Sequence, residues 1–179
     1  MKIFFIADTH FYHKNIIDYC GRPYTSVEEM NKQLVKNWNA TVHKDDLVIH
    51  LGDVGLGSKT QVRNIVKQLH GRKILIKGNH DIWTDEFYKT CGFERVSKFP
   101  IIWGEKYILS HAPLQLDFGD YINIFGHVHN NGSKCEKPGR SKCVSVEMVK
   151  YTPIELGDLN DIILKDKKEI IGKSNEKND

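Results

Sequence analysis

The chain alternates short unbroken apolar runs with stretches in which apolar residues recur every three or four positions. The runs Lys2–Ala7 (KIFFIA), Leu47–Leu51 (LVIHL) and Lys73–Ile76 (KILI) have strand length and predict strands, the first of them buried. Between them, Ser26-Val27-Glu28-Glu29 reads as a capping box, and Val27, Met30, Leu34, Val35 and Trp38 then share one helical face. Ser58-x-x-Gln61 opens a second helix that would bury Val62, Ile65, Val66 and Leu69, with Gly71 as its stop. A short helix is expected over Thr84–Thr90. The second half predicts strands at Pro100–Trp103, Tyr107–Leu109, Ile122–Phe125, Cys143–Val146 and Pro153–Leu156, then a last helix over Leu159–Lys168. A β-α-β-α-β start followed by a run of strands points to an α/β layered fold with two packed sheets flanked by helices. Asn130–Lys142, rich in Asn, Gly, Ser, Lys and Pro, reads as a surface loop. Lys165–Asp179 reads as a polar tail, which leaves residues 1–164 as a single domain.

The residues that follow the strands change the picture. KIFFIA runs into Asp8-Thr9-His10, LVIHL into Gly52-Asp53, and KILI, after Lys77, into Gly78-Asn79-His80-Asp81. Tyr107–Leu109 is followed by Ser110-His111, and Ile122–Phe125 by Gly126-His127-Val128-His129. Ligands of α/β sheets bind outside the carboxyl ends of the strands. If these strands lie in adjoining sheets, their ends gather Asp8, His10, Asp53, Asn79, His80, His111, His127 and His129. Such a cluster of oxygen and imidazole donors, without a thiolate, fits two divalent cations better than one. A single ion would leave several donors unused, and crowded carboxylates would repel one another. Asp53 is the candidate bridge. Two ions roughly 3.5–4 Å apart can share a hydroxide and clamp a phosphoryl group. Glycines at 52, 78 and 126 allow sharp turns and close approach.

The ordered set D-x-H, G-D, G-N-H-D, a lone His and G-H-x-H, spanning Asp8 to His129 or about two thirds of the chain, resembles the calcineurin-like metallophosphoesterases. The style of DTHFYHKNII, LGDVG, KGNHD and GHVHN is closest to small stand-alone members of bacteria and their phages. The resemblance implies a layered fold of two packed mixed sheets and a dinuclear phosphoester hydrolase. It implies one metal on Asp8, His10 and His129, a second on Asn79, His111 and His127, and Asp53 between them. Manganese is the first choice of ion, with Fe, Zn, Ni or Co as others. His80 would contact the phosphate and assist the leaving oxygen, with Asp81 orienting His80 or bracing the loop. A metal-borne hydroxide would be the nucleophile. The chain departs from the phosphoprotein-phosphatase branch, whose G-D-x-x-D-R-G is here Gly52-Asp53-Val54-Gly55-Leu56-Gly57. That departure argues against a Ser/Thr protein phosphatase.

Other residues carry weaker signals. His13 and Arg22 are candidate substrate contacts, against surface or capping roles. His50, inside a strand, reads as a hydrogen-bonded core histidine. His43 and His70 read as exposed, Trp38 as core, and Trp83 as either a pocket wall or packing.

Composition sets the outer bounds. The chain has 179 residues, 40% hydrophobic and 27% charged, as in an ordinary globular domain. The net charge of +3 is too small to demand a nucleic-acid partner and does not exclude one. No segment reaches the roughly 18 apolar residues of a membrane span. MKIFFIADTH lacks the features of a signal peptide, and a cytoplasmic location is expected. The four cysteines show no C-x-x-C spacing and read as free thiols. The functional expectation is a phosphodiesterase acting on small diesters, nucleotides or nucleic-acid ends. A monoesterase using the same site, or a non-catalytic binding module on the same fold, are the alternatives.

Overall fold

The computed structural model describes residues 1–116 and 119–175, with side chains to 169. The three apolar runs form β1 (Ile3–Ile6), β2 (Leu47–His50) and β3 (Arg72–Ile76). They pair in parallel, β1 with β2 and β2 with β3. Two edge strands complete this sheet: β4 (Arg95–Ser97), parallel to β3, and β9 (Ile154–Glu155), antiparallel to β1. A second sheet has the order β5 (Ile101–Trp103), β6 (Tyr107–Leu109), β7 (Ile122–Phe125), β8 (Ser141–Cys143). There β6, β7 and β8 are parallel and β5 is antiparallel. Both sheets are therefore mixed, and the fold is an α/β sandwich with flanking helices.

The unbroken apolar runs are explained by burial on both faces of the first sheet. Phe4, Ile6, Val48 and Leu75 face helices α2 (Val27–Thr41), α3 (Lys59–Val66) and α4 (Asp85–Cys91), packing with Met30, Leu34, Trp38, Val62, Ile65 and Phe87. Their neighbours Phe5, Ala7, Leu47, Ile49, Ile74 and Ile76 face the other way, onto Tyr107, Leu109, Ile122 and Ile124 of the second sheet. Leu159 and Ile163 of α6 (Leu156–Asn175) close that second core. Each fully buried aliphatic or aromatic side chain contributes ~1.5–3 kcal/mol relative to exposure. Ser58 and Gln61 make the expected reciprocal box; at the other helix only half forms, the Ser26 hydroxyl accepting from Glu29 N at 3.1 Å while the Glu29 carboxylate accepts from Thr25 N and Oγ1.

Several expectations are corrected. Cys143–Val146 is not one strand: β8 ends at Cys143, and Val144 and Val146 are buried because the chain there crosses to the end of β1. Ala7 N donates to Val144 O (2.9 Å) and Val146 N to Ala7 O (3.0 Å), which ties the two sheets together. Gly71 does not stop α3, which ends at Val66; with φ 83° it turns the chain into β3. The last helix runs past Lys168 to Asn175, and residues 176–179 of the expected tail lie outside the described residues. The expected loop after Asn130 holds a short helix, α5 (Gly132–Cys135). A further helix, α1 (Ile16–Cys20), was not expected. Among the described residues no helix is long and apolar enough to cross a membrane. The cysteines are free thiols.

His50 is a core histidine, 1% exposed. Its Nδ1 accepts from Gly52 N (3.2 Å), so Nε2 carries the proton and donates to Thr9 Oγ1 (3.0 Å), which donates to Val54 O (2.8 Å). Burial, then the nearby His111, pushes its pKa down to about 3. The unfolded chain takes up a proton near pH 6.5 that the folded chain refuses, so this histidine's contribution to stability is present above pH 6.5 and lost as pH falls toward 3. In chemical denaturation between pH 7 and 5, His50→Gln should flatten the pH dependence of stability, removing up to ~1.4 kcal/mol per pH unit. Parallel pH profiles for the two proteins would contradict this role.

Candidate metal centre

The parallel strands β1, β2, β3, β6 and β7 deliver their following loops to one edge of the sandwich. These loops leave the strands abruptly. Asp8, His10, Asp53, His127 and His129 all have left-handed backbone, with φ between 48° and 72°. Asp and His tolerate that region better than most side chains, yet such residues cluster where function demands them. The loops are knitted through backbone hydrogen bonds: Asp8 N to Gly52 O (2.9 Å), His10 N to Asp53 O (3.0 Å), and Gly126 N to His111 O (2.8 Å). Gly52, at φ 95°, sits where the loops approach closely. A Cβ there would lie 2.5 Å from Gly78 N and 2.6 Å from His111 Nδ1.

Asp8, His10 and His129 present ligand atoms that lie within 4.8 Å of one another. Asp8 Oδ2 accepts from Ser145 Oγ (2.6 Å) and His127 N (2.8 Å), whereas Oδ1 is buried with no partner. His10 Nε2 is likewise buried without a hydrogen bond, 3.4 Å from Asp53 Oδ2. Burial, reinforced by the positive charge of His129 and Arg22, holds His10 well below the usual imidazole range. Its ring is therefore neutral, with a lone pair aimed into the cluster. Burial pushes the Asp8 carboxyl up to about 6, against the opposing pull of His129 and His111. Burial alone would lower His129, but hydrogen bonds with Cys20 and Glu147 and the charge of Asp8 raise it to about 10. In the protein without metal, a proton on His129 thus supplies the positive charge that Asp8 lacks. Orphaned buried donor atoms and a borrowed proton are what a cation would replace, so these residues fit a metal.

A second set, Asp53, His111 and His127, meets the same 4.8 Å condition. His111 Nδ1 donates to Leu51 O (2.8 Å), which leaves Nε2 turned outward as the ligand nitrogen. That nitrogen lies 2.9 Å from Asn79 Oδ1 and 3.6 Å from Asp53 Oδ2. His127 Nδ1 lies 3.1 Å from the same nitrogen, so imidazole and oxygen ligand atoms crowd one point where a cation fits. Asp53 stands between the two sets: Oδ1 accepts from His80 N (2.9 Å), while Oδ2 faces His10 and His111.

The remaining candidates divide. His80 is at the mouth, its side chain 44% exposed and its Nε2 4.0 Å from Asp53 Oδ2. Half-buried His13 sits beside it, with Nδ1 3.2 Å from His10 Nδ1 and its ring 6.3 Å from that of His80. Asp81 was expected to orient His80 or to brace the loop, and its contacts are those of a brace. It is 4% exposed, with Oδ2 accepting from Asp53 N (2.7 Å) and Gly78 N (2.8 Å), and Oδ1 from Val54 N (3.1 Å) and Tyr88 OH (3.2 Å). It clamps the Asp53 loop to the Asn79 loop and positions both. Arg22, expected as a substrate contact, is turned inward instead. Its guanidinium is fully buried, donating to Asp8 O (2.7 Å), Thr9 O (3.0 Å) and Glu147, with which it forms a 2.7 Å ion pair.

Glu147 escaped the sequence reading. Its Oε1 accepts from His129 Nδ1 (3.1 Å), which fixes the tautomer and leaves Nε2 as the ligand nitrogen. It lies in SVEMVK, just past β8, where nothing local marks it. Glu147→Gln should weaken Mn²⁺ binding 10–100-fold by calorimetry, the scale of losing an outer-shell partner. Unchanged affinity would remove that role.

Two adjoining groups of metal-ligand side chains, with Asp53 facing both, at the strand ends of an α/β sandwich are the candidate centre of a metallohydrolase. The chain belongs to the calcineurin-like phosphoesterases, whose family model matches residues 1–178. It is 40% identical over 174 residues to an uncharacterised protein of Methanocaldococcus jannaschii, covering 92% of this chain and 90% of that one. It is also 40% identical over 80 residues to the gene 66 protein of Mycobacterium phage L5, covering 43% of this chain and 38% of that protein. Among solved structures it resembles a protein of unknown function from Aquifex aeolicus, with a TM-score of 0.69 and 29% identity over 89% of this chain and 98% of that one. The protein is accordingly a metal-dependent phosphoester hydrolase.

Proposed function

We propose that this enzyme is a phosphodiesterase acting on small diesters, nucleotides or nucleic-acid ends. The observation that carries the reading is room on both sides of the Asn79-His80 corner. One cavity, of about 490 Å³, lies against Asn79; another, of about 190 Å³, lies against His80, Leu56 and Trp83. A diester has two arms to place about the phosphorus, whereas a monoester has one.

In this reading Asp8, His10 and His129 hold one cation, Asn79, His111 and His127 hold the other, and Asp53 is shared. Mn²⁺ suits the oxygen and imidazole donors. When bound, the ions supply an activated water and Lewis-acid polarisation of the phosphoryl group. His80, exposed at the mouth, contacts the phosphate and donates a proton to the leaving oxygen. His13 lines the same mouth. Asp81, Arg22 and Glu147 keep the loops and His129 in register.

With Mn²⁺, bis-p-nitrophenyl phosphate should be turned over faster than p-nitrophenyl phosphate. Diester turnover no better than monoester turnover overturns the preference.

A further inference from the structure

The two cavities at the corner differ in charge. The one against His80 is bounded by Gly55, Leu56, Ile82 and Trp83, with no cation. The one against Asn79 is bounded by Lys77 and Lys98. Both lysines also line an adjoining cavity of about 210 Å³ that His111 borders. The two lysines are not equivalent. Lys77 Nζ donates to Trp83 O (2.6 Å) and lies 3.4 Å from the Asp85 carboxylate, so its charge is already matched. Lys98 is exposed and has no ion pair or hydrogen bond among the described residues. The carboxylate along this cavity, Asp81, is buried and turned inward onto backbone N–H groups. The uncompensated charge facing the cavity is therefore positive, beside Asn79, with His111 on the adjoining cavity.

We propose that the cavity between Asn79 and Lys98 is a second anion subsite, which takes the phosphate next to the scissile one in a nucleotide strand. This rests on the diesterase reading and names its substrate. The scissile phosphate belongs to the metal centre, so an unpaired ammonium next door serves a different anion on the same molecule. A strand carries one at each nucleotide. The uncharged cavity on the other side, walled by Leu56, Ile82 and Trp83, suits a sugar or base and offers nothing to a phosphate. The enzyme thus expects its further charge on one side only.

Two chromogenic diesters test this: the p-nitrophenyl ester of thymidine 5′-phosphate, with and without a 3′-phosphate. In the wild type the 3′-phosphate should lower KM roughly tenfold or more, as expected of one charge-assisted hydrogen bond. In Lys98→Gln the ratio of the two KM values should collapse to about one, and Lys98→Arg should restore it. A ratio unchanged by Lys98→Gln, or a wild-type ratio near one, overturns the subsite. If the wild type cleaves neither ester, the diesterase reading fails on its own. The subsite is then decided by calorimetry of thymidine 3′,5′-bisphosphate against thymidine 5′-phosphate on the Mn²⁺-loaded protein. Tighter binding of the bisphosphate that Lys98→Gln abolishes supports it, and equal affinities sink it.

Discussion

Replacing Asp53 by asparagine should lower turnover roughly 10³-fold or more, the scale of several kcal/mol of lost transition-state stabilisation. The expectation follows from position. The Oδ2 atom of Asp53 is 3.4 Å from His10 Nε2 and 3.6 Å from His111 Nε2, so it faces both donor sets. Asparagine keeps the shape and can still accept from His80 N, the bond that Oδ1 makes at 2.9 Å. It removes the negative charge that would hold a cation on either side. Circular dichroism and thermal midpoint should stay near those of the wild type, while one equivalent of Mn²⁺ is lost in a binding titration. An Asp53→Asn enzyme within a few fold of wild-type turnover would show that this carboxylate is not shared.

His80→Ala is expected to reduce kcat by roughly 10²–10⁴-fold, the range for a positioned general acid. Here metal content should not change. The His80 side chain is 44% exposed, and its ring meets His10 only edge-on at 5.3 Å, so truncation leaves the fold and the donor sets in place. Leaving groups separate proton donation from mere positioning. p-Nitrophenolate departs without help, whereas an alkoxide from a sugar does not. The loss should therefore be much greater for a dinucleotide than for bis-p-nitrophenyl phosphate. Equal losses on both would make His80 a phosphate-positioning residue rather than the acid.

The strand-end chemistry was legible in the sequence because each donor follows an apolar run within a few residues, and parallel strands bring their carboxyl ends to one edge. Doubly buried strands likewise announce themselves as runs such as KIFFIA. The bracing residues were not legible. Arg22 and Glu147 meet across 125 positions of sequence, and a loop arginine after Gly21 looks the same whether it faces water or carbonyl groups. Asp81 sits inside GNHD, so its neighbours suggested chemistry, while its partners Asp53 N and Tyr88 OH come from elsewhere in the fold. Strand β4 was missed because RVS has one apolar residue and lies at a sheet edge. The crossing segment 143–146 imitated a strand because both its valines are buried, Val144 in the core between the sheets and Val146 in the core beneath the helices.

The account stands on two cations held at the strand ends, and anomalous scattering from crystals soaked in Mn²⁺ addresses that directly. Two peaks are expected, one within ligand distance of Asp8, His10 and His129, the other of Asn79, His111 and His127, with Asp53 touching both. A single peak, or a map without peaks at these donors in a well-folded crystal, would contradict it.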